Sequence, residues 1–467
     1  MINRHRWIRP YAWSDVLPWT IYLALNAFFV WYPDGSMETA ARRSGLLALT
    51  NVCFTYACPS ISLLGDILGA KLRICRQLHH AAGFMACVES VLHVLLKWTT
   101  KGNIQLGERR MVYGVVAASC RLALMIESIP IVRRLVHPIF FLSHYILAIS
   151  AGWALGMHLP RNPSGPWYLV YPTIGLFAST CLAAIGIVFY RNGFLGKTME
   201  QGHNRTAGPG RPVMVLPGQY VDLWMPSLNP WSWFQCASFI VTSWSPDPQT
   251  SLQLLARCPS RAFGFTWMLS WRALSGSRHN LALISGPHGL SVPVSRYETV
   301  LLIASDSGIL AVKPYVDHLF HCVKERTSKT RRLCLVWQVL GRVIGMDILR
   351  DMGEWVNRLL YDDIKDETQV TCLKMLQIII FDPMTLCTST TDHGRGTIYH
   401  KKADFDSILD MEVQGHRERL AQDVREERGG MLVMTSASDE FRDRLKRSVR
   451  SYLKWVRNDE LDYQPIR

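Results

Sequence analysis

The sequence predicts a two-part fold: a multi-pass α-helical membrane domain of about six spans, then a soluble module made of an antiparallel β-barrel and an α/β domain. Three observations carry this. With 49% hydrophobic residues, 19% charged and a mean hydropathy of +0.08, the 467-residue chain is too apolar for an ordinary soluble protein and too charged for one wholly in lipid. Apolar runs of spanning length fall near residues 16–32, 44–64, 78–98, 112–132, 138–158 and 167–190. After Tyr190 these give way to short alternating runs and then to β-α-β alternation.

In the first run, Arg4, Arg6 and Arg9 precede an apolar stretch with no small-residue cleavage site after Leu23, so Leu17–Trp31 reads as a retained span. The third run holds His79 and His93, fourteen positions apart. At 3.6 residues per turn the two share one helix face, separated by about 21 Å. One histidine on a buried helix is more often a satisfied core group than a ligand. Here the spacing recurs: His144 and His158 bracket the fifth run, again fourteen apart. Matched pairs at matched depth fit two hemes stacked across the membrane, each iron taking one histidine from each helix. Two axial imidazoles complete the coordination, which suits electron transfer rather than dioxygen binding. His80 rivals His79, but its spacing of thirteen to His93 breaks the match.

Six spans place both ends on one side. Arg4, Arg6, Arg9, Lys71, Arg73, Arg76, Arg133, Arg134, Arg191 and Lys197 fall there, against Arg42, Arg43, Lys97, Lys101, Arg109, Arg110 and Arg161 opposite, which favours cytosolic ends. His79 then meets His144 on the inner side and His93 meets His158 on the outer. Glu89 and Arg121 lie inside spans and are expected to pair with each other, to snorkel, or, for Arg121, to meet a heme propionate. The net charge of +14 fits topology and anionic lipid; no motif supports nucleic-acid binding. The twelve cysteines form no CxxC pairs, consistent with a reduced soluble portion. The sequon at Asn204 falls on the cytosolic side and is expected to be unmodified.

The expected domains are residues 1–192, the heme-bearing membrane domain; 193–295, the barrel; and 296–467, the α/β domain, with a polar insertion or lid near 388–430. Residues 192–212 read as a linker. Strands are expected at Tyr220–Trp224, Phe239–Thr242, Thr299–Ala304, Arg332–Trp337 and Met431–Thr435, and helices around Phe405–Glu426 and Glu440–Val456.

At these residues the chain resembles the fungal ferric-chelate reductases of the ferric reductase and NADPH oxidase superfamily. The membrane half carries the likeness in His79, Gly83, His93, His144 and His158. The soluble half carries it in Pro217-Gly218-Gln219-Tyr220, Gly264-Phe265-Thr266, Gly286-Pro287-His288-Gly289, Thr330-Arg331-Arg332 and Glu460–Pro465. The resemblance implies a ferredoxin-reductase-like module with an FAD-binding barrel and an NADPH-binding α/β domain. It implies that cytosolic NADPH reduces FAD, and that electrons pass through two b hemes to an external ferric or cupric chelate, at the plasma membrane. Cofactor-binding residues are then expected at Pro217, Gly218, Gln219, Tyr220, Phe239, Thr242, Gly264, Thr266, Gly286, Pro287, Gly289, Ser305, Gly308 and Ile309. Arg342 reads equally as a 2′-phosphate contact or as a solvated surface charge.

Three positions depart from the family pattern. The flavin motif His-Pro-Phe-Thr aligns with Ala237-Ser238-Phe239-Ile240. The glycine-rich turn reads Ser305-Asp306-Ser307-Gly308, with a carboxylate where an anion should sit. Thr435-Ser436-Ala437-Ser438 replaces a Cys-Gly. Three functions therefore compete: a metalloreductase, with basic Lys97–Arg110 meeting the chelate; the same electron path serving dioxygen or an organic metabolite; and a catalytically impaired heme protein acting as a partner or regulator.

Overall fold

The computed structural model describes residues 13–57, 60–102, 107–135, 137–161, 165–193, 197–200, 206–207, 211–226, 236–254, 279–340, 346–367, 375–384, 389–390, 395–422 and 429–461. Two compact units emerge, residues 1–186 and residues 187–232 with 236–467.

The first unit is helical: α1 (Trp13–Trp31), α2 (Met37–Tyr56), α3 (Ile61–Leu68), α4 (Leu72–Lys101), α5 (Arg109–Ser128), α6 (Pro130–Leu135), α7 (His137–His158) and the start of α8 (Trp167–Asn192). Four of the six predicted apolar runs each lie on one helix, whereas 44–64 is divided between α2 and α3 and 112–132 between α5 and α6. Among the described residues, α4, α5, α7 and α8 are long and apolar enough to cross a membrane, and α2 with α3 makes a fifth if they form one bent span. The apolar part of α1, Leu17–Trp31, is shorter. Ser60 Oγ accepts from Leu63 N to start α3, and Gly69, at φ +58°, ends it. Ile146, Ile149 and Trp153 on α7 are exposed one helical turn apart, an apolar outer face suited to lipid. Inside, α4 packs chiefly on α2, and α7 on α5.

The second unit has two sheets. Strands β1 (Lys197–Glu200), β2 (Thr206–Ala207), β3 (Tyr220–Trp224), β4 (Cys236–Ile240), β5 (Leu252–Gln253) and β6 (His279–His288) run antiparallel in the order β4-β3-β6-β1-β2-β5. An antiparallel bridge from Val241 to Leu254 joins the two edges and closes the barrel. Val221, Leu223, Phe239, Leu252 and Ile284 fill it.

The second sheet comprises β7 (Thr299–Ser305), β8 (Arg332–Gln338), β9 (Leu376–Phe381), β10 (Ser389–Thr390), β11 (Gly396–Tyr399), β12 (Met431–Ser436) and β13 (Val456–Glu460), in the order β10-β11-β9-β8-β7-β12-β13. All pairings are parallel except that of edge strand β10. Alternation along β7 sends Val300, Leu302 and Ala304 towards α9 (Ile309–Lys324) and α10 (Met346–Glu367). Leu301 and Ile303 face α11 (Phe405–Gln422) and α12 (Asp439–Arg450) on the other side. Helices on both faces explain why β7 and β12 are buried throughout.

Two sequence expectations are corrected here. Within the 388–430 segment, α11 is no lid: its Phe405, Leu409 and Val413 are core residues, so the helix is a layer of the domain. The basic helix stops at Arg450, and Val456–Glu460 forms an edge strand whose polar sequence hid it.

Candidate functional site

The four spaced histidines come together in two pairs. The rings of His79 and His144 have centroids 6.5 Å apart, and those of His93 and His158 also 6.5 Å. Two metal–nitrogen bonds of about 2.0 Å, with each ring centre about 1.1 Å behind its nitrogen, give about 6.2 Å. Each pair is therefore set at the separation one bis-imidazole iron requires. His80 is exposed and turns to Trp19, its ring 6.4 Å from the indole.

Hydrogen bonds fix which nitrogen is free. His93 Nδ1 lies 2.6 Å from Ala41 O, and His158 Nδ1 2.9 Å from Arg110 O. A carbonyl only accepts, so each Nδ1 carries the proton and each Nε2 keeps its lone pair for a metal. His144 Nδ1 is 3.1 Å from Glu127 Oε1. Arg110 clasps α7 a second time, its Nε donating to His158 O at 2.6 Å.

Two glycines that sequence reasoning missed make room for the rings. A Cβ on Gly45 would sit 2.8 Å from His93 Nδ1, and one on Gly114 would sit 2.6 Å from His158 Nδ1. Each glycine follows its carbonyl partner by four residues, Ala41 before Gly45 and Arg110 before Gly114. The device is thus used twice: a carbonyl holds the ring, and one turn on a missing side chain admits it. The only sequence signal is a glycine in the helix neighbouring each ligand helix.

Between the levels of the two pairs lie buried polar groups. Glu89 and Arg121 do not pair with each other. Asn51 Nδ2 donates to Glu89 Oε2 at 2.9 Å, and Arg121 Nη1 donates to Ser90 Oγ at 2.6 Å. Arg121 Nη2 is buried with no hydrogen-bond partner among the described residues. A buried N–H left open beside two histidine pairs is a fitting donor for a heme propionate. Gly83, one turn beyond His79, faces space in which a Cβ would meet only the Thr55 methyl, at 4.0 Å. On these observations the residues fit two hemes.

In the second unit, three predicted segments converge at one end of the barrel. Tyr220 pairs in register with Ile240 of β4 and with His288 of β6. Gln219 ties two loops, its Oε1 accepting from Leu216 N (2.8 Å) and its Nε2 donating to Gly289 O (3.2 Å). Gly218 turns at φ +83° over the Tyr315 ring, whose Cζ would be 2.8 Å from any Cβ there. Gly286 (φ +114°) and Gly289 (φ +95°) shape the facing loop with Pro287. Pro217 is buried, Phe239 sits in the barrel core, and Thr242 is buried with its Oγ1 donating to Gln253 O (3.2 Å). Their side chains thus build the scaffold, leaving backbone and loop surfaces for a flavin. Within Ala237–Ile240, Ser238 Oγ donates to Asp222 Oδ1 at 2.6 Å.

The α/β domain supplies the other wall. Strand order reverses between β8–β7 and β12, the switch point at which such sheets bind nucleotides. There Ser438 N donates to Ser305 Oγ (2.8 Å), and a Cβ on Gly308 would collide with the Ser436 carbonyl. Ser305 and Ile309 are fully buried, backbone included. Asp306 holds a left-handed φ of +47°, and its Oδ1 accepts from Leu340 N at 2.9 Å. The carboxylate is thereby turned sideways to the loop after β8 instead of standing at the start of α9. Lys313 and Tyr315 of α9 bind the barrel side, Lys313 Nζ donating to Thr242 O (3.1 Å) and Val292 N donating to Tyr315 Oη (3.3 Å). Gly264, Thr266, Arg342 and Asn204 lie outside the described residues.

Residues 44–155 match the family model described as ferric reductase like transmembrane component. No curated protein sequence matches the chain. Solved structures similar to it include the Amycolatopsis cytochrome P450 reductase (11% identity over 58% of this chain and 69% of that one, TM-score 0.33). The cytochrome b5 reductase domain of Ulva prolifera nitrate reductase is 12% identical over 56% of this chain and 94% of that one, TM-score 0.36. The flavohem-like FAD/NAD binding domain of a Vibrio cholerae nitric oxide dioxygenase is 11% identical over 58% and 97%, TM-score 0.34.

Proposed function

We propose that this membrane oxidoreductase, a ferric reductase family member whose residues 44–155 form the ferric reductase like transmembrane component, carries electrons from cytosolic NADPH across the plasma membrane to a ferric or cupric chelate. The observation that supports this most is the pair of matched histidine pairs, each at 6.5 Å, with Nδ1 of His93, His144 and His158 engaged and Nε2 free. The chemistry supplied by bound groups is the splitting of a two-electron hydride into single electrons by FAD and their passage through lipid by two b hemes.

The residues have separate tasks. His79 with His144, and His93 with His158, hold the two irons; Ala41 and Arg110 hold the rings of His93 and His158. Arg121 offers an N–H to a propionate. The Gln219 latch and the turns at Gly218, Gly286 and Gly289 shape the flavin loop, and the Ser305–Ile309 turn lies at the switch point of the α/β sheet. On the acceptor side, Arg109 is exposed for an anionic chelate, whereas Arg110 is engaged by His158.

Anaerobic NADPH added to purified, FAD-supplemented protein is expected to reduce the heme bands within seconds. Bands that respond to dithionite but not to NADPH would reject this function in favour of an impaired heme-bearing partner, the reading that Asp306, Ala237 and Ser238 motivate. Dioxygen and organic acceptors are separated from metal chelates by comparing reoxidation rates of the reduced protein.

A further inference from the structure

We propose that Glu127 holds the potential of the heme at His79 and His144 below that of the heme at His93 and His158, and so sets the direction in which electrons cross. The inference rests on the two-heme reading above. Its basis is an asymmetry among the ligand partners. His93 and His158 donate from Nδ1 to neutral backbone carbonyls. His144 donates instead to a carboxylate, whose residue is 8% exposed and whose Oε2 accepts from Ser143 Oγ at 2.8 Å.

A carboxylate draws the Nδ1 proton harder than a carbonyl does and makes the imidazole a stronger donor to its metal. A stronger donor stabilises Fe(III) relative to Fe(II), which lowers the potential. The negative charge itself acts in the same sense, because a nearby anion favours the more positive iron. At the other pair the sign is opposite but the effect is small: Arg110 sits against His158 and favours the reduced iron, and being exposed it is screened by water and salt. Arg133, towards the Glu127 end beside His80, is exposed, so water and salt screen it. In the favoured step one electron leaves Fe(II) at His79–His144, giving Fe(III), and reduces Fe(III) at His93–His158 to Fe(II). No proton moves. Glu127 touches neither iron; it is a positioning residue acting through His144.

The test is anaerobic spectroelectrochemical titration of the purified full-length protein, with the His93→Ala variant used to assign the wave of the remaining His79–His144 heme. Wild type is expected to show two one-electron waves, the lower one belonging to His79–His144. Glu127→Gln should move that wave positive by at least about 59 mV, a tenfold change in a one-electron equilibrium, and leave the other in place. Glu127→Asp, which keeps the charge, should restore the lower wave. Ser143→Ala, which removes a donor to the carboxylate, should move the same wave negative. Waves unmoved by Glu127→Gln, equal shifts in both, or a shift in Glu127→Asp as large as in Glu127→Gln would overturn the proposal. Should Glu127→Gln fail to hold heme, Ser143→Ala decides, and an unmoved or positive wave overturns it. Protein that purifies without heme defeats the two-heme reading instead.

Discussion

Gly45 and Gly114 show how much a single missing side chain can decide. With Cβ positions 2.8 and 2.6 Å from the His93 and His158 rings, an added methyl must displace an imidazole that a carbonyl holds in place. Gly114→Ala is therefore expected to lose about half the heme per protein, measured as pyridine hemochrome, with Gly45→Ala similar but milder. Gly156, two residues before His158, has nothing within 4 Å, so Gly156→Ala should keep both hemes and serves as the control. Asp306 offers a second residue-level test. Ala and Gly both lose the bond to Leu340 N, but only Ala must hold a side chain at φ +47°. Asp306→Ala should be less stable than Asp306→Gly by about 1 kcal/mol in urea unfolding, and equal stabilities would count against strain at this turn. The two histidine pairs could be seen in the sequence because their spacing repeats. The glycines could not, because each meets a ring 48 or 44 residues away and a glycine in an apolar helix has many other uses. Asp306 was visible as a departure, yet the amide that turns it aside sits 34 residues on.

At the scale of elements, α11 carries the clearest lesson. Its composition is polar enough to look like an insertion, but the buried positions Phe405, Ile408, Leu409, Glu412, Val413 and His416 form one helical stripe. Two of the six are polar, and their partners lie on distant strands. Arg332 meets Glu412 through two bonds of 2.6 and 3.2 Å, and Thr299 Oγ1 meets His416 Nδ1 at 2.9 Å. A stripe interrupted by Glu and His reads as solvent-facing until those strands are in place. Burial, with Arg419 adding to it, lowers the His416 pKa from 6.5 to about 4. Between those values the unfolded chain binds a proton that the folded chain refuses. Stability therefore falls as pH drops from about 6.5 towards 4 and is flat above that window, by up to about 3 kcal/mol. Unfolding of wild type against His416→Gln at about pH 7 and pH 4.5 measures this, and the variant should show the shallower loss. Equal pH slopes would mean that His416 is not the group responsible.

Across the whole molecule, hydropathy and the change from a 3.6-residue period to β-α-β alternation were enough to foresee a membrane half and a soluble half. Barrel closure through Val241 and Leu254, and the layer formed by α11, needed coordinates because both depend on contacts between segments far apart in the chain. The division into two compact units has a consequence for function. Separate cores should tolerate separate lesions, since changes without shared partners act independently. On the proposed function, His144→Ala removes a heme ligand in the first unit and should lower the heme content while NADPH still bleaches the flavin anaerobically at the wild-type rate. Gly218→Ala forces a Cβ against Tyr315 in the second unit and should abolish flavin retention and the NADPH route, while dithionite still yields a two-heme spectrum. If His144→Ala stopped flavin bleaching, or Gly218→Ala stripped the heme, the two halves would be one cooperative body, and electron entry and electron crossing would have to be treated as a single site.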